Sequence, residues 1–114
     1  MKINAGQLYA SINEFIDQAV IPLSASMNLT DQFLFGIKIG IARKKLEDVI
    51  NTYINSGGAK TLGLVDENGY VDIDTIYQSA CESISKVGHI DVGGITFKDS
   101  DLHMLYSIMQ RHSS

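Results

Sequence analysis

The chain has 114 residues, 45% of them apolar and 19% charged, with ten glycines and a single proline. That length allows one domain with a genuine core, and the composition excludes a disordered chain or a collagen-like repeat. One cysteine, Cys81, excludes an internal disulfide and a cysteine-rich zinc site.

The formal charge of −4 is uneven: residues 1–57 carry five basic and five acidic side chains, residues 58–114 four basic and eight acidic. A nucleic-acid binder needs the reverse, a basic stripe that neutralises phosphates. The longest apolar run, Phe33 to Ile37, falls far short of a membrane span. Met1-Lys2 leads into an amphipathic stretch rather than a secretory signal. The expectation is a cytoplasmic protein without membrane contact.

The first helix opens after Asn4, with Gln7 three residues on in capping-box spacing and Ile3 and Leu8 at the staple positions. Leu8, Ile12, Phe15, Ile16 and Ala19 form its apolar face, and Pro22 ends or kinks it by removing a donor and crowding the preceding turn. The second helix is predicted over 31–55, capped by Thr30 and stopped at Asn55-Ser56-Gly57-Gly58. Phe35, Ile39, Ala42, Leu46, Val49 and Tyr53 are spaced as a heptad seam. Phe33, Leu34, Ile37 and Ile41 make a second apolar set on another face, which Lys44 and Asp48 take over halfway along. The first half of this helix therefore needs cover on two sides.

Gly36 and Gly40 lie in that doubly apolar half, where each costs about 1 kcal/mol against alanine. Close approach of another backbone is the compensation, either by the first helix of the same chain or across a subunit interface.

Residues 59–70 read as either strand or helical turn, with a turn at Asp66-Glu67-Asn68-Gly69. A third helix starts after the N-cap Asp72 and stops at Gly88. Its apolar face is Ile73, Ile76, Tyr77, Ala80 and Ile84, with Cys81 on the flank as a half-buried thiol. Ile90-Asp91-Val92 and Ile95-Thr96-Phe97 around Gly93-Gly94 form a hairpin with a two-residue type I′ or II′ turn. Ile90 then opposes Phe97, Val92 opposes Ile95, and the Asp91–Thr96 pair faces water. Tyr70–Asp72 is a candidate third strand. A fourth helix begins at Lys98–Asp101, buries Leu102, Leu105, Tyr106 and Met109, and frays at Arg111–Ser114. Asp72–Tyr77 and Asp101–Tyr106 share an Asp-aliphatic-x-x-aliphatic-Tyr pattern, explained by similar helix-start chemistry.

Several constellations have residue types suited to chemistry. Asp66, Asn68 and Asp72 fit EF-hand positions 3, 5 and 9 when Gly69 is placed at position 6. Leu64 and Thr75 then stand at positions 1 and 12, where the strongest ligands belong, leaving only a degenerate divalent-metal module as an alternative. Gly57-Gly58-Ala59-Lys60-Thr61 lacks the first phosphate-loop glycine and follows a helix instead of a strand. Arg43, Lys44 and Lys45, the nucleic-acid alternative, point in three directions about 100° apart on a helix and are followed at once by Glu47 and Asp48. A winged-helix reading would carry the net negative face of Asp72, Asp74, Glu82 and Lys86 into a major groove. Ser100, Asp101 and His103 read as helix-start and surface residues. No catalytic residue, metal ligand or cofactor is assigned.

The stretch Gly63-Leu64-Val65-Asp66-Glu67-Asn68-Gly69-Tyr70-Val71-Asp72-Ile73-Asp74-Thr75-Ile76-Tyr77, followed by Gly94-Ile95-Thr96-Phe97-Lys98-Asp99-Ser100-Asp101-Leu102-His103-Met104-Leu105-Tyr106, resembles small uncharacterised phage and prophage proteins of Gram-positive bacteria. Those proteins carry the same two patterns in the same order after a helical pair. The resemblance covers mainly the C-terminal half, and its motifs are structural: turn, cap, hairpin, cap. It implies a phage-encoded or prophage-derived protein in the bacterial cytoplasm and assigns no activity.

The expected fold is a helix-rich α+β domain over 1–114, with about four helices, a long central helix and a small hairpin. Residues 1–57 form a helical pair, and 58–114 a turn, helix, hairpin and helix. The expected function is non-catalytic self-association, as a homo-oligomer or with another protein, through Phe33, Leu34, Gly36, Ile37, Gly40 and Ile41.

Overall fold

Local capping chemistry sets most of the element boundaries. The structure, a computed structural model, describes residues 1–61, 63–92 and 95–113, with only the backbone of Val92 and Ile95. Strand β1 (Lys2–Ile3) leads into α1 (Ala5–Phe15). The Asn4 side chain accepts from the Gln7 N–H at 2.8 Å and the Gln7 side chain accepts from the Asn4 N–H at 2.9 Å, the reciprocal box read from the sequence.

Beyond Phe15 the chain stays helical but changes its winding. A π turn covers Ile16–Val20, and a 3-10 turn, with Pro22 in its first turn, covers Ile21–Ser26. The proline thus neither stops the chain nor merely bends an α-helix, because it occupies early helical positions where its missing N–H costs little.

Helix α2 (Leu29–Ile54) is capped by Asn28, whose side chain accepts from the Asp31 N–H at 2.8 Å. This displaces the expected cap, Thr30, which lies inside the helix. At about 1.5 Å per residue α2 is about 39 Å long, most of the 47 Å long axis of the molecule. Its buried residues are Ile39, Ala42, Leu46, Ile50 and Ile54, with Phe35 half-buried against them. The heptad seam runs as far as Leu46 and then loses register: Val49 and Tyr53 stand 46% and 39% exposed, while Ile50 and Ile54 are buried. A straight α-helix has 3.6 residues per turn, so its covered stripe drifts away from a 3.5-residue repeat.

Residues 59–70, ambiguous in sequence, begin within the short helix α3 (Gly57–Thr61) and pass through a Val65–Val71 bridge. Leu62 lies outside the described residues. Strand β2 (Val71–Asp72) pairs antiparallel with β1, Ile3 opposite Val71, so the candidate third strand joins the N-terminus and not the hairpin. Helix α4 (Ile73–Val87) is capped by Asp72, which accepts from the Asp74 N–H, and ends at Gly88 with φ +86°, a backbone conformation that favours glycine.

The hairpin of β3 (Ile90–Val92) and β4 (Ile95–Phe97) has the predicted register. The Gly93-Gly94 turn type lies outside the described residues. Thr96 donates to Asp91 at 2.6 Å on the solvent side, and Phe97 is buried against Phe15 with ring centroids 5.1 Å apart.

Helix α5 (Asp99–His112) buries Leu102, Leu105, Ile108 and Met109 and leaves Tyr106 half-buried. Its C-terminus is anchored where fraying was expected. Arg111 pairs with Glu14 of α1, and His112 Nε2 lies 3.1 Å from the same carboxylate. The result is an α+β fold in which α1, α5 and the second half of α2 enclose one apolar cluster running from Ile3 to Met109.

Candidate functional site

The candidate surface is the first half of α2 together with the turns that lead into it. Among the described residues, eleven large apolar side chains are exposed, and seven of them fall between positions 21 and 41: Ile21, Leu23, Leu29, Phe33, Leu34, Ile37 and Ile41. Phe33 is 69% exposed, Ile41 52%, Leu34 50% and Ile37 46%. At about 100° per residue, these last four lie within about 60° of the line directly opposite the buried Ile39–Leu46 stripe. A helix with apolar side chains on opposite faces has one more face than its own chain covers.

The lead-in turns are fastened to this helix. The Gln32 side chain donates to the carbonyls of Ser24 and Met27 at 3.2 and 3.1 Å. That brings Leu23 and Leu29 to the same end of the molecule as Phe33. Between Ala19 and Ile41 the only charged residues are Asp31 and Lys38.

Gly36 and Gly40 lie on the flank of this surface. A Cβ built on either glycine would meet nothing within 4 Å. The first of the two compensations, close approach by the first helix of the same chain, is therefore absent. Among the described residues, the space over both glycines is open.

The other constellations serve the fold itself. Arg43 is half-buried and donates to Asn13 at 3.1 Å and to Asp17, tying α2 to α1, while Lys44 and Lys45 stand exposed. Asp66 Oδ1 accepts the N–H groups of Asn68 and Tyr70, each at 2.9 Å, and Oδ2 takes Lys2 Nζ at 3.1 Å. The Tyr70 N–H first, and Lys2 next, hold the Asp66 carboxyl below its ordinary value. Asp72 spends its carboxylate on the α4 cap. Among the described residues no three His, Cys, Asp or Glu side chains gather into a group able to hold a metal ion.

One cluster escaped the sequence reading. Tyr77 and Tyr106 pack in a tilted pair with ring centroids 4.5 Å apart, the Tyr77 hydroxyl lies 2.7 Å from His103 Nδ1, and Tyr106 donates to Asp74. His103 Nε2 is 3.7 Å from Asp99. Burial, then the Cys81 thiol, raises the Tyr77 phenol above its ordinary value, and the hydrogen bond to Asp74, then burial, does so for Tyr106. Phenols shifted upward stay protonated at neutral pH and act as neutral hydrogen-bonding groups that dock α5 on α4. The repeated Asp-to-Tyr pattern at 72–77 and 101–106 was the one available signal, although its two copies do not share a helix-start role: Asp72 caps α4, whereas Asp101 already lies inside α5, whose cap is Lys98.

No helix of the described chain is long and apolar enough to cross a membrane. No family model, curated protein or solved structure matches the chain.

Proposed function

We propose that this is a non-catalytic, self-associating protein, an accessory or assembly component of a phage or prophage acting in the host cytoplasm. The observation that carries the reading is the row Phe33, Leu34, Ile37 and Ile41, 46% to 69% exposed and opposite the face of α2 that enters the core. Burying such side chains contributes on the order of 1 kcal/mol each before the cost of association. Gly36 and Gly40 flank the row with open space above them, so a facing helix can approach closely there. Low charge around the row favours contact with a similarly apolar surface, and a second copy supplies one by symmetry. The phage assignment rests on the paired motifs at 63–77 and 94–106. A gene position among morphogenesis or lysogeny genes would support it, and a position in an unrelated operon would remove it.

Size-exclusion chromatography with light scattering tests the association. Wild type at high micromolar concentration is expected to run as a dimer or larger, and Ile37→Asp as a monomer with an unchanged circular dichroism spectrum. A wild-type monomer under those conditions overturns the proposal.

A further inference from the structure

A second apolar feature lies at the other end of α2, away from the association surface. The second half of α2 and the face of α4 stand apart around a cavity of about 300 Å³, floored by Leu8 and Ile12 of α1 and by Leu102 and Leu105 of α5. Its mouth runs between Val49 and Tyr53 on α2 and Thr75 and Ser79 on α4, all four exposed.

No described residue of the wall carries a charge, and its side-chain polar groups are the hydroxyls of Tyr53, Thr75 and Ser79. A water molecule needs two to four polar partners to be held. The aliphatic floor offers none, so water there is weakly held and an apolar group displaces it readily. Asp48 stands beside Val49 and Tyr53 on the adjoining surface, where it disfavours an anionic headgroup at the mouth.

We infer that this cavity is a binding site for a neutral lipophilic small molecule. Its tail lies on the leucine floor, and a single hydroxyl-type group is held at the mouth by Thr75 and Ser79. The volume is about twice that of an apolar cavity that accepts benzene, and it sits at the lower end of natural ligand pockets, which limits the occupant to about a dozen heavy atoms. The site uses none of the residues of the outer α2 face and stands or falls independently of self-association.

Methyl-detected NMR titration with decan-1-ol, and with decanoate as its charged counterpart, tests the inference on the full chain. Decan-1-ol is expected to move the Leu8, Leu102 and Leu105 methyl signals saturably, with decanoate at least tenfold weaker. Ala80→Phe, which fills the wall of α4, should weaken decan-1-ol at least tenfold. Thr75→Trp, a substitution at the exposed rim, should do the same if Ala80→Phe does not fold. The inference is overturned by unmoved floor methyls at the solubility limit of the alcohol, by equal affinity for decanoate, by undiminished binding to the filled variants, or by shifts confined to Leu34, Ile37 and Ile41.

Discussion

Phe33, Leu34, Ile37 and Ile41 in the first half of α2 are as apolar as Ile39, Ala42, Leu46, Ile50 and Ile54 along the core stripe. The first set stands 46% to 69% exposed, and the second lies at 8% or less. Helical propensity does not separate them, because both ride on one continuous helix. The difference lies in what stands opposite. α1 packs against α2, and the core it shares with α5 and the hairpin reaches the inner face, whereas among the described residues the outer face of the first half is left half or nearly half uncovered. Apolar character states a demand for cover, and tertiary arrangement decides whether the same molecule meets it.

The contrast can be broken most forcefully from the covered side. Leu46 is fully buried, so Leu46→Ala should cost about 2–5 kcal/mol in urea unfolding. A loss below about 1 kcal/mol would mean that the inner stripe is less well packed than its burial implies. Next come the glycines. With no atom within 4 Å of a built Cβ, Gly36→Ala and Gly40→Ala should each stabilise the monomer by about 0.5–1 kcal/mol through helix propensity. The same substitutions should weaken association, since the added methyl occupies the space left for a facing helix. Opposite signs for folding and for assembly would sharpen the comparison, and a loss of monomer stability would show that another part of the chain closes over the glycines.

A smaller effect comes from the anchor between α1 and α5. The hydrogen bond from His112 first, and that from Arg111 next, hold the Glu14 carboxyl below its ordinary value of 4.5. A native pKa below the unfolded one means that the stabilisation is full above that value and is lost as pH falls through the lowered native value. The difference in melting temperature between wild type and Glu14→Gln should be constant near neutrality and close in acid. A gap of undiminished size well below 4.5 would break the assignment. Smallest of all is the outer face itself. Ile41→Ser should leave monomer stability within about 0.5 kcal/mol of wild type, measured in urea at a concentration where only monomer is present.

Much of this architecture is local chemistry and was legible as such. The Asn4–Gln7 box, the Asp72 cap, the Gly88 stop and the hairpin register each depend on residues a few positions apart. What escaped reading is non-local. Glu14 meets Arg111 and His112 from the far end of the chain, β1 takes β2 as its partner, and Tyr77 meets His103 across two helices. The displaced cap of α2 is a different kind of miss: Asn28 and Thr30 are both capable caps, and the 3-10 turn before them delivers Asn28 first. For the candidate site, the sequence identified four apolar residues in need of cover and two glycines that permit approach. Which of the two faces would go uncovered depended on where α1 came to lie, and that information is spread over the whole core.

The passage from α to π to 3-10 winding over residues 5–26 acts as a phase adjuster. A π turn holds one residue more than the α repeat would use. Deleting a single residue within Ile16–Val20 should therefore be absorbed by reversion to ordinary α winding, whereas the same deletion inside α2 would rotate everything beyond it by about 100°. Tolerance to length change thus concentrates just ahead of α2, whose exposed and enclosed halves ride on one helix and keep their mutual orientation.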